Sequence, residues 1–506
     1  MPGREGNDMS YEELTVSAFH RQVRARTMAS ADLVRWYLQR ITDIDTGGAQ
    51  LGAVVTVNPD ALGDAEALDA AFAATGEFSG PLHGVPVLVK DQAETAGIAT
   101  AFGSALFADY VPATDATVVA RLRAAGAVIL AKTTMCDFAA GWFSFSSRSD
   151  HTKNPYALDR EIGGSSAGTA AGVAANLGLL GVAEDTGGSV RVPGSFANLF
   201  GLRPTTGLVS RNGFSPLVHF QDTPGPLGRT AADVAALLDV MAGYDPADPF
   251  TAVAARATGP GSYVESLYGA SLSGARVGVL EDAFGAHPES GVVNDVVRAA
   301  VEQLSTAGAE VVDGLELGGL SEWVSGTSLY STQSREDLTT FLAARPAAPV
   351  HSFDEIYASG VFHPLTDLVH DIAVGPREAA DAPGYHRMRL RQEEFRRALL
   401  QVMARADVDA LVYPTVQVPP PTRQELADRR WTALTFPTNT VIASQSAMPA
   451  MTVPAGMTPD GLPVGMEILG RAFAETHLLR FARAWEEHAQ PRRAPVLPAV
   501  AAGAAR

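Results

Sequence analysis

Apolar residues recur along this chain in two rhythms. Behind Ser30, which looks like a helix N-cap, Leu33, Val34, Tyr37, Leu38 and Ile41 fall on one face at helical spacing. Ser10-Tyr11-Glu12-Glu13 has the pattern of a capping box before an earlier helix. The second rhythm is the short continuous apolar run. Such runs at 53–57, 85–89, 127–131 and 177–183 predict buried strands. Helices are expected between them at about 60–74, 116–125 and 167–175. Strand, helix, strand in this order predicts parallel pairing with crossovers.

The later chain is less regular. Thr230 should cap a helix through Met241, and 244–274 reads as a surface excursion. Strands are expected at 275–280 and 309–312 around a helix at 292–307. The stretch 313–382 has little clean periodicity and reads as substrate-specific loops. A charged helix is predicted at 385–405 and a strand at 411–413. Met451–Val453 and Val464–Ile468 should pair across the Asp460-Gly461 turn, and a helix at 475–487 closes the fold. No repeat or linker interrupts the chain, which predicts one large domain over 1–490 and a loose Ala/Pro-rich tail at 491–506.

One stretch breaks both rhythms. From Ile162 to Ala183 there is no charged side chain, and the knots Gly163-Gly164-Ser165-Ser166 and Gly187-Gly188-Ser189 bracket it. The run has the length of a membrane span, but its six glycines, Asn176 and hydroxyls argue against one. Gly164-Ser165-Ser166-Ala167-Gly168 matches the G-x-S-x-G nucleophile elbow, which needs a preceding strand, and 157–161 is a poor strand sequence. The phosphate-binding glycine motifs are absent. Glycine-serine turns present backbone N–H groups and hydroxyls together, a means of holding an oxyanion. The helix at 167–175 would point its positive end at the same serines.

Composition narrows the chemistry. Lys+Arg 38 against Asp+Glu 56 gives a net charge of −18, which argues against a nucleic-acid partner. The single cysteine, Cys136, permits no intrachain disulfide and reads as a packing residue in an intracellular protein. The N-terminal residues show no signal peptide. No metal-ligand motif is present, and His83 and His151 read as surface loop residues. Of the 38 basic residues only Lys90, Lys132 and Lys153 are lysines. Arg keeps its proton, whereas a desolvated Lys can lose it. Lys90 ends a buried strand, so it is the candidate base for a serine nucleophile. Trp142 and Phe143, in the loop before the serines, are pocket candidates, and Tyr330, Phe362 and Trp431 make an apolar or aryl substrate plausible.

Lys90 in V-K-D, Ser165 in G-G-S-S-A-G and Ser189 in D-T-G-G-S-V-R resemble the amidase signature family, whose enzymes use a Ser-Ser-Lys triad. Ser165 and Ser189 have that family's spacing of twenty-four positions. The segments 80–86, 126–133, 154–155 and 461–465 are similar too, so the resemblance runs from about Leu14 to Glu487. It implies a three-layer α/β/α domain with a mostly parallel mixed sheet, its core at about 65–230. It implies an amide hydrolase without metal or organic cofactor, acting on a small-molecule amide. Ser189 would be the nucleophile and form an acyl-enzyme. Ser165, after a cis peptide bond, would pass the proton to neutral Lys90. The N–H groups of Thr186, Gly187, Gly188 and Ser189 would form the oxyanion hole. Ser166, Asp185 and Arg191 would support the network.

Three positions depart from the family pattern: Ala167, Glu184 and Gln92. They leave the substrate open, with carbamates and esters beside amides. A second reading is the amidase subunit of a tRNA-dependent amidotransferase, against which stand the net charge and Arg191-Val192-Pro193. A third is a catalytically dead binding protein, which the intact triad opposes. The sequence implies no membrane partner, suggests a cytoplasmic setting and leaves a homodimer open.

Overall fold

The computed structural model of the protein describes residues 11–256 and 262–498. Thirteen strands are labelled in chain order. The first five are β1 (Val54–Val57), β2 (Pro86–Lys90), β3 (Val128–Thr133), β4 (Lys153–Asn154) and β5 (Ala157–Glu161). Next come β6 (Leu180–Glu184), β7 (Phe200–Arg203), β8 (Pro224–Gly228) and β9 (Arg276–Leu280). The last four are β10 (Glu310–Leu315), β11 (Ala410–Pro414), β12 (Ala450–Met457) and β13 (Pro463–Leu469).

Eleven of them form one helix-flanked sheet in the order β1-β3-β2-β6-β8-β7-β12-β13-β11-β9-β10. The mixed α/β fold is the one expected. Parallel pairs are fewer than the sequence suggested. They join β3, β2 and β6 towards one edge, and β11, β9 and β10 at the other. The middle, from β6 through β8, β7, β12 and β13 to β11, is antiparallel. The expected hairpin is β12–β13, with Met451 opposite Ile468 and Val453 opposite Met466.

The strands nearest the glycine-serine stretch are buried along their whole length, which is why β2, β3 and β6 read as unbroken apolar runs. In the parallel β2–β6 pair Val89 lies opposite Val182, so Lys90 and Glu184 emerge at the same edge of the sheet. In open α/β sheets this carboxyl edge is where ligands bind. The small-residue helix Ala167–Ala174 is entirely buried against these strands. The uncharged run is therefore an internal helix and strand. No helix among the described residues is long and apolar enough to cross a membrane.

Several local expectations change. Ser10 lies outside the described residues, and the first helix, Val16–Arg24, is capped by Thr15. Ser30 is the first residue of its helix, and the Asp69 carboxylate takes the capping role by accepting from the N–H groups of Ser30 and Ala31. The poor strand sequence at 157–161 does form a strand, but in a separate two-stranded ribbon with β4. Arg191 to Phe196, just after the second glycine-serine knot, form a short buried helix. The stretch expected to be loops holds four α-helices: Leu320–Ser325, Tyr330–Ala343, Phe353–Ser359 and Leu368–Val374. The buried residues of the last three pack on one another and on the aromatic loop residues, while Leu320 joins a separate cluster with Phe395, Leu399 and Met403, a pattern set by distant partners rather than by one clean periodic face. At the start of the tail Arg492 pairs with Glu13 at 2.8 Å and donates to the Asn198 carbonyl, which anchors residues expected to be loose. Residues 499–506 lie outside the described chain.

Candidate active site

Lys90 and Ser165 meet at the carboxyl edge of the sheet. Lys90 ends β2, and Ser165 lies just before the helix Ala167–Ala174, after a cis Gly164–Ser165 peptide bond. The Lys90 Nζ–Ser165 Oγ distance is 2.7 Å, and both side chains are fully buried. The amine also lies 3.4 Å from the Glu184 carbonyl oxygen and 3.7 Å from Glu184 Oε2. Burial pushes the Lys90 amine below its ordinary range, against the opposing pull of Glu184. Burial, with Asp222 nearby, pushes the Glu184 carboxyl up to about 8.

The other lysines do different work. Lys132 donates to the Ala93 carbonyl at 2.6 Å and to Thr100 Oγ1 at 2.9 Å, beside Asp91. Lys153 donates to the Ala49 carbonyl. Ser166 ties the helix to β6: its hydroxyl donates to the Glu184 carbonyl at 3.3 Å and accepts from the Glu184 N–H at 3.4 Å. Gln92 donates to the Ser215 carbonyl, and Ala167 is buried.

The turn after β6 presents free donors. Among the described residues no protein acceptor takes the N–H of Thr186, Gly187, Gly188 or Ser189, whereas the next N–H, of Val190, donates to Asp185. The Ser189 hydroxyl has no hydrogen-bond partner there either, and the residue is 2% exposed. A buried donor is normally paired, so a row of free donors marks a place built for a ligand.

A buried ionic network holds that turn. Arg191 grips Asp185 with two 3.0 Å bonds, donates to Ser444 Oγ at 2.8 Å and also donates to Glu467. Arg203 donates to both the Asp185 carboxylate, at 3.1 Å, and the Asp185 carbonyl. Burial alone would raise the Asp185 carboxyl, but Arg191 and Arg203 outweigh it and hold the carboxyl below the usual range. Burial pushes Glu467 up to about 7.

Beside the turn lies a cavity of about 520 Å³. Trp142 and Tyr330 form one wall, with their rings edge to face at 5.7 Å. Both press on Gly187: a Cβ there would lie 2.0 Å from the Trp142 ring and 2.6 Å from the Tyr330 hydroxyl. Gly188, at φ +144°, leaves no room either, since its Cβ would sit 1.9 Å from Thr440 Oγ1. Val324, Phe436, Val441 and Ile442 add apolar wall, with Gln445 among the polar groups. Gly187→Ala should lower kcat/KM by roughly 10²-fold, the scale of a 1 Å misplacement at a reacting centre, in steady-state kinetics on any accepted amide.

Of the pocket expectations, Trp142 and Tyr330 line this cavity. Phe143 does not: its ring packs on Phe436 at 5.1 Å, one layer behind the wall. Phe362 stacks on Tyr357, and Trp431 sits edge-on to His287, both outside this lining. His83 is buried rather than on the surface, its ring stacked on Phe78 at 4.7 Å. Among the described residues no group of three or more His, Cys, Asp or Glu side chains is placed to hold a metal ion. Sequence reasoning missed Thr440, Gln445 and Glu467. Glu467 carried a signal, as an acid in the apolar run Val464–Ile468, because a buried charge needs a partner. Thr440, which donates to the Gly187 carbonyl at 2.7 Å, carried none.

The fold and the buried lysine-serine edge thus define an α/β enzyme with a solvent-shielded amine. The family model described as Amidase matches residues 32–479. A glutamyl-tRNA(Gln) amidotransferase subunit of Pseudomonas aeruginosa is 35% identical, over 94% of this chain and 97% of its own. The same subunit of a Synechococcus strain is 34% identical, over 93% and 91%. The solved structure of native peptide amidase from Stenotrophomonas maltophilia superposes with a TM-score of 0.86 at 33% identity, over 96% of this chain and 99% of that one. The corresponding amidotransferase subunit from Thermotoga maritima gives 0.76 at 25% identity, over 98% and 99%. The chain belongs to the amidase family, and it is an enzyme acting on amide C–N bonds.

Proposed function

We propose that this enzyme hydrolyses carboxamides by itself, through an acyl-enzyme on Ser189, with Ser165 as proton carrier and Lys90 as base. The observation that carries the reading is the 2.7 Å contact of Lys90 Nζ with Ser165 Oγ, out of reach of water. A desolvated amine favours its neutral form, and its lone pair then accepts the Ser165 proton. Ser165 Oγ in turn takes the proton of Ser189 as that oxygen bonds to the amide carbon. The carbonyl π pair moves onto oxygen, where the free N–H groups of residues 186–189 donate to it. Collapse breaks the C–N bond, and the proton returns through Ser165 to the leaving nitrogen. Water then attacks the ester by the same route, yielding the acid and restoring Ser189.

The apolar cavity walls support an apolar or aryl acyl group, and the likeness to a peptide amidase adds peptide amides to the candidates. Carbamates and esters of the same shape form a second set. Hydrolysis of a panel spanning these classes tests the assignment; release of ammonia from apolar carboxamides is expected to be fastest. No turnover of any carboxamide by the isolated chain would overturn it.

The names of the sequence relatives favour a second reading, the amidase subunit of a tRNA-dependent amidotransferase complex, which would release ammonia for transfer. The higher TM-score to the peptide amidase than to the Thermotoga protein supports the stand-alone enzyme. Size-exclusion chromatography joined to the activity assay separates them. The purified chain should hydrolyse carboxamides as a monomer or homodimer with no other protein added. Glutamine hydrolysis that appears only with a partner would favour the second reading.

A further inference from the structure

Three acids cluster behind the turn, and only one lacks its own compensation. Asp185 is matched by the guanidiniums of Arg191 and Arg203. Asp222 accepts from the Thr186 hydroxyl at 2.6 Å and from the N–H groups of Leu217 and Val218. Glu184 is fully buried; its Oε1 accepts from the Thr223 N–H at 3.2 Å and lies 3.3 Å from the Thr186 hydroxyl, whose proton goes to Asp222. The Oε2 of Glu184 has no hydrogen-bond partner and faces Lys90 Nζ at 3.7 Å. An ionised Glu184 therefore has one cation within contact distance, the amine that must be neutral to act as base.

We propose that Glu184 is a positioning residue for Lys90: the two side chains share one proton across neutral pH, and the loss of that proton is what frees the amine. The inference rests on Lys90 being the base. Around Glu184 the charged groups are Lys90 on β2, the adjoining Asp185, Asp222 before β8 and Arg203 on β7. Around Lys90 they are Glu184, Asp185 and Asp222, with the Cys136 thiol after β3. Asp185 and Asp222 discourage a second negative charge at Glu184, and Lys90 favours it. The burial that raises Glu184 also lowers Lys90, so neither group titrates alone. Ser166, bonded to the Glu184 backbone at both N–H and carbonyl, fixes the residue that carries the carboxyl.

The sign follows from the charge. A carboxylate beside the ammonium holds the proton on and delays the base to higher pH. Removing it moves the ascending limb of the pH–rate profile to lower pH.

The test compares wild type, Glu184→Gln and Lys90→Ala by amide hydrolysis and by the rate of Ser189 labelling with a fluorophosphonate probe, from acid to alkaline pH. In Glu184→Gln, which keeps the side-chain shape, the limb of both rates should move down by about 1–3 pH units, the usual effect of an opposite charge at this range. A limb at or above its wild-type position overturns the inference. Lys90→Ala should label slowly and without that limb; a wild-type limb there overturns Lys90 as the base instead, so the two failures are told apart. Circular dichroism checks folding. If the Gln variant does not fold, Glu184→Thr replaces it, with the same shift expected and the same overturning result.

Discussion

Replacing Ser189 by alanine should lower kcat by on the order of 10⁴–10⁶-fold, as removal of the attacking oxygen does in other serine hydrolases. Nothing in the fold depends on that hydroxyl, since it has no hydrogen-bond partner among the described residues. The variant should therefore unfold at the wild-type temperature and still bind substrate. Lys90→Ala removes the base and should cost about 10²–10⁴-fold. It also leaves a cavity and an unpaired Glu184 in the core, so part of its effect should appear as lowered stability. Stopped-assay kinetics with thermal unfolding of each variant check both. Full activity in Ser189→Ala would sink the acyl-enzyme.

The second large effect falls on stability. Arg191→Ala strips Asp185 of a two-bond partner and Glu467 of its guanidinium, all with fully buried side chains. Breaking a buried pair from one side costs about 3–5 kcal/mol, because the remaining charge stays desolvated. Arg191→Lys should recover little, since one ammonium cannot reproduce the planar fork to Asp185 and the bonds to Ser444 and Glu467. The loss should be read as a lowered midpoint in denaturant and as a drop in activity that exceeds the drop in folded fraction. The excess follows from geometry: Asp185 immediately precedes the turn whose N–H groups lack a protein acceptor among the described residues, and it accepts from the Val190 N–H just after it.

The sequence showed the part of the site that is local. The apolar run 85–89 marked β2, and the scarcity of lysine drew attention to Lys90 at its end. The glycine-serine knots marked the two turns. The cavity was not local. Trp142 was visible as a loop aromatic, but Thr440, Gln445 and Val441 come from a six-residue helix, Thr440–Gln445, too short to show a period. The helices at 320–374 escaped for a similar reason: packing among distant segments overrode a weak local pattern. Phe143 and Trp142 are sequence neighbours with the same kind of side chain, and only the fold decides that one faces the cavity and the other Phe436. Of the antiparallel centre only the β12–β13 hairpin was legible, from its Asp460-Gly461 turn; β7 is four residues long and β8, Pro224–Gly228, is rich in proline and glycine, so neither reads as a strand.

The cavity walls consist largely of side chains from 320–330 and 433–445, whereas Lys90, Ser165 and the 186–189 turn come from the first two hundred residues. On the proposed reading, substrate range and bond-breaking sit on separately editable stretches of one chain. If that reading holds, a variant library confined to Val324, Leu434, Phe436 and Val441 should shift the accepted acyl groups without altering any side chain of the buried lysine-serine pair or of the arginine network.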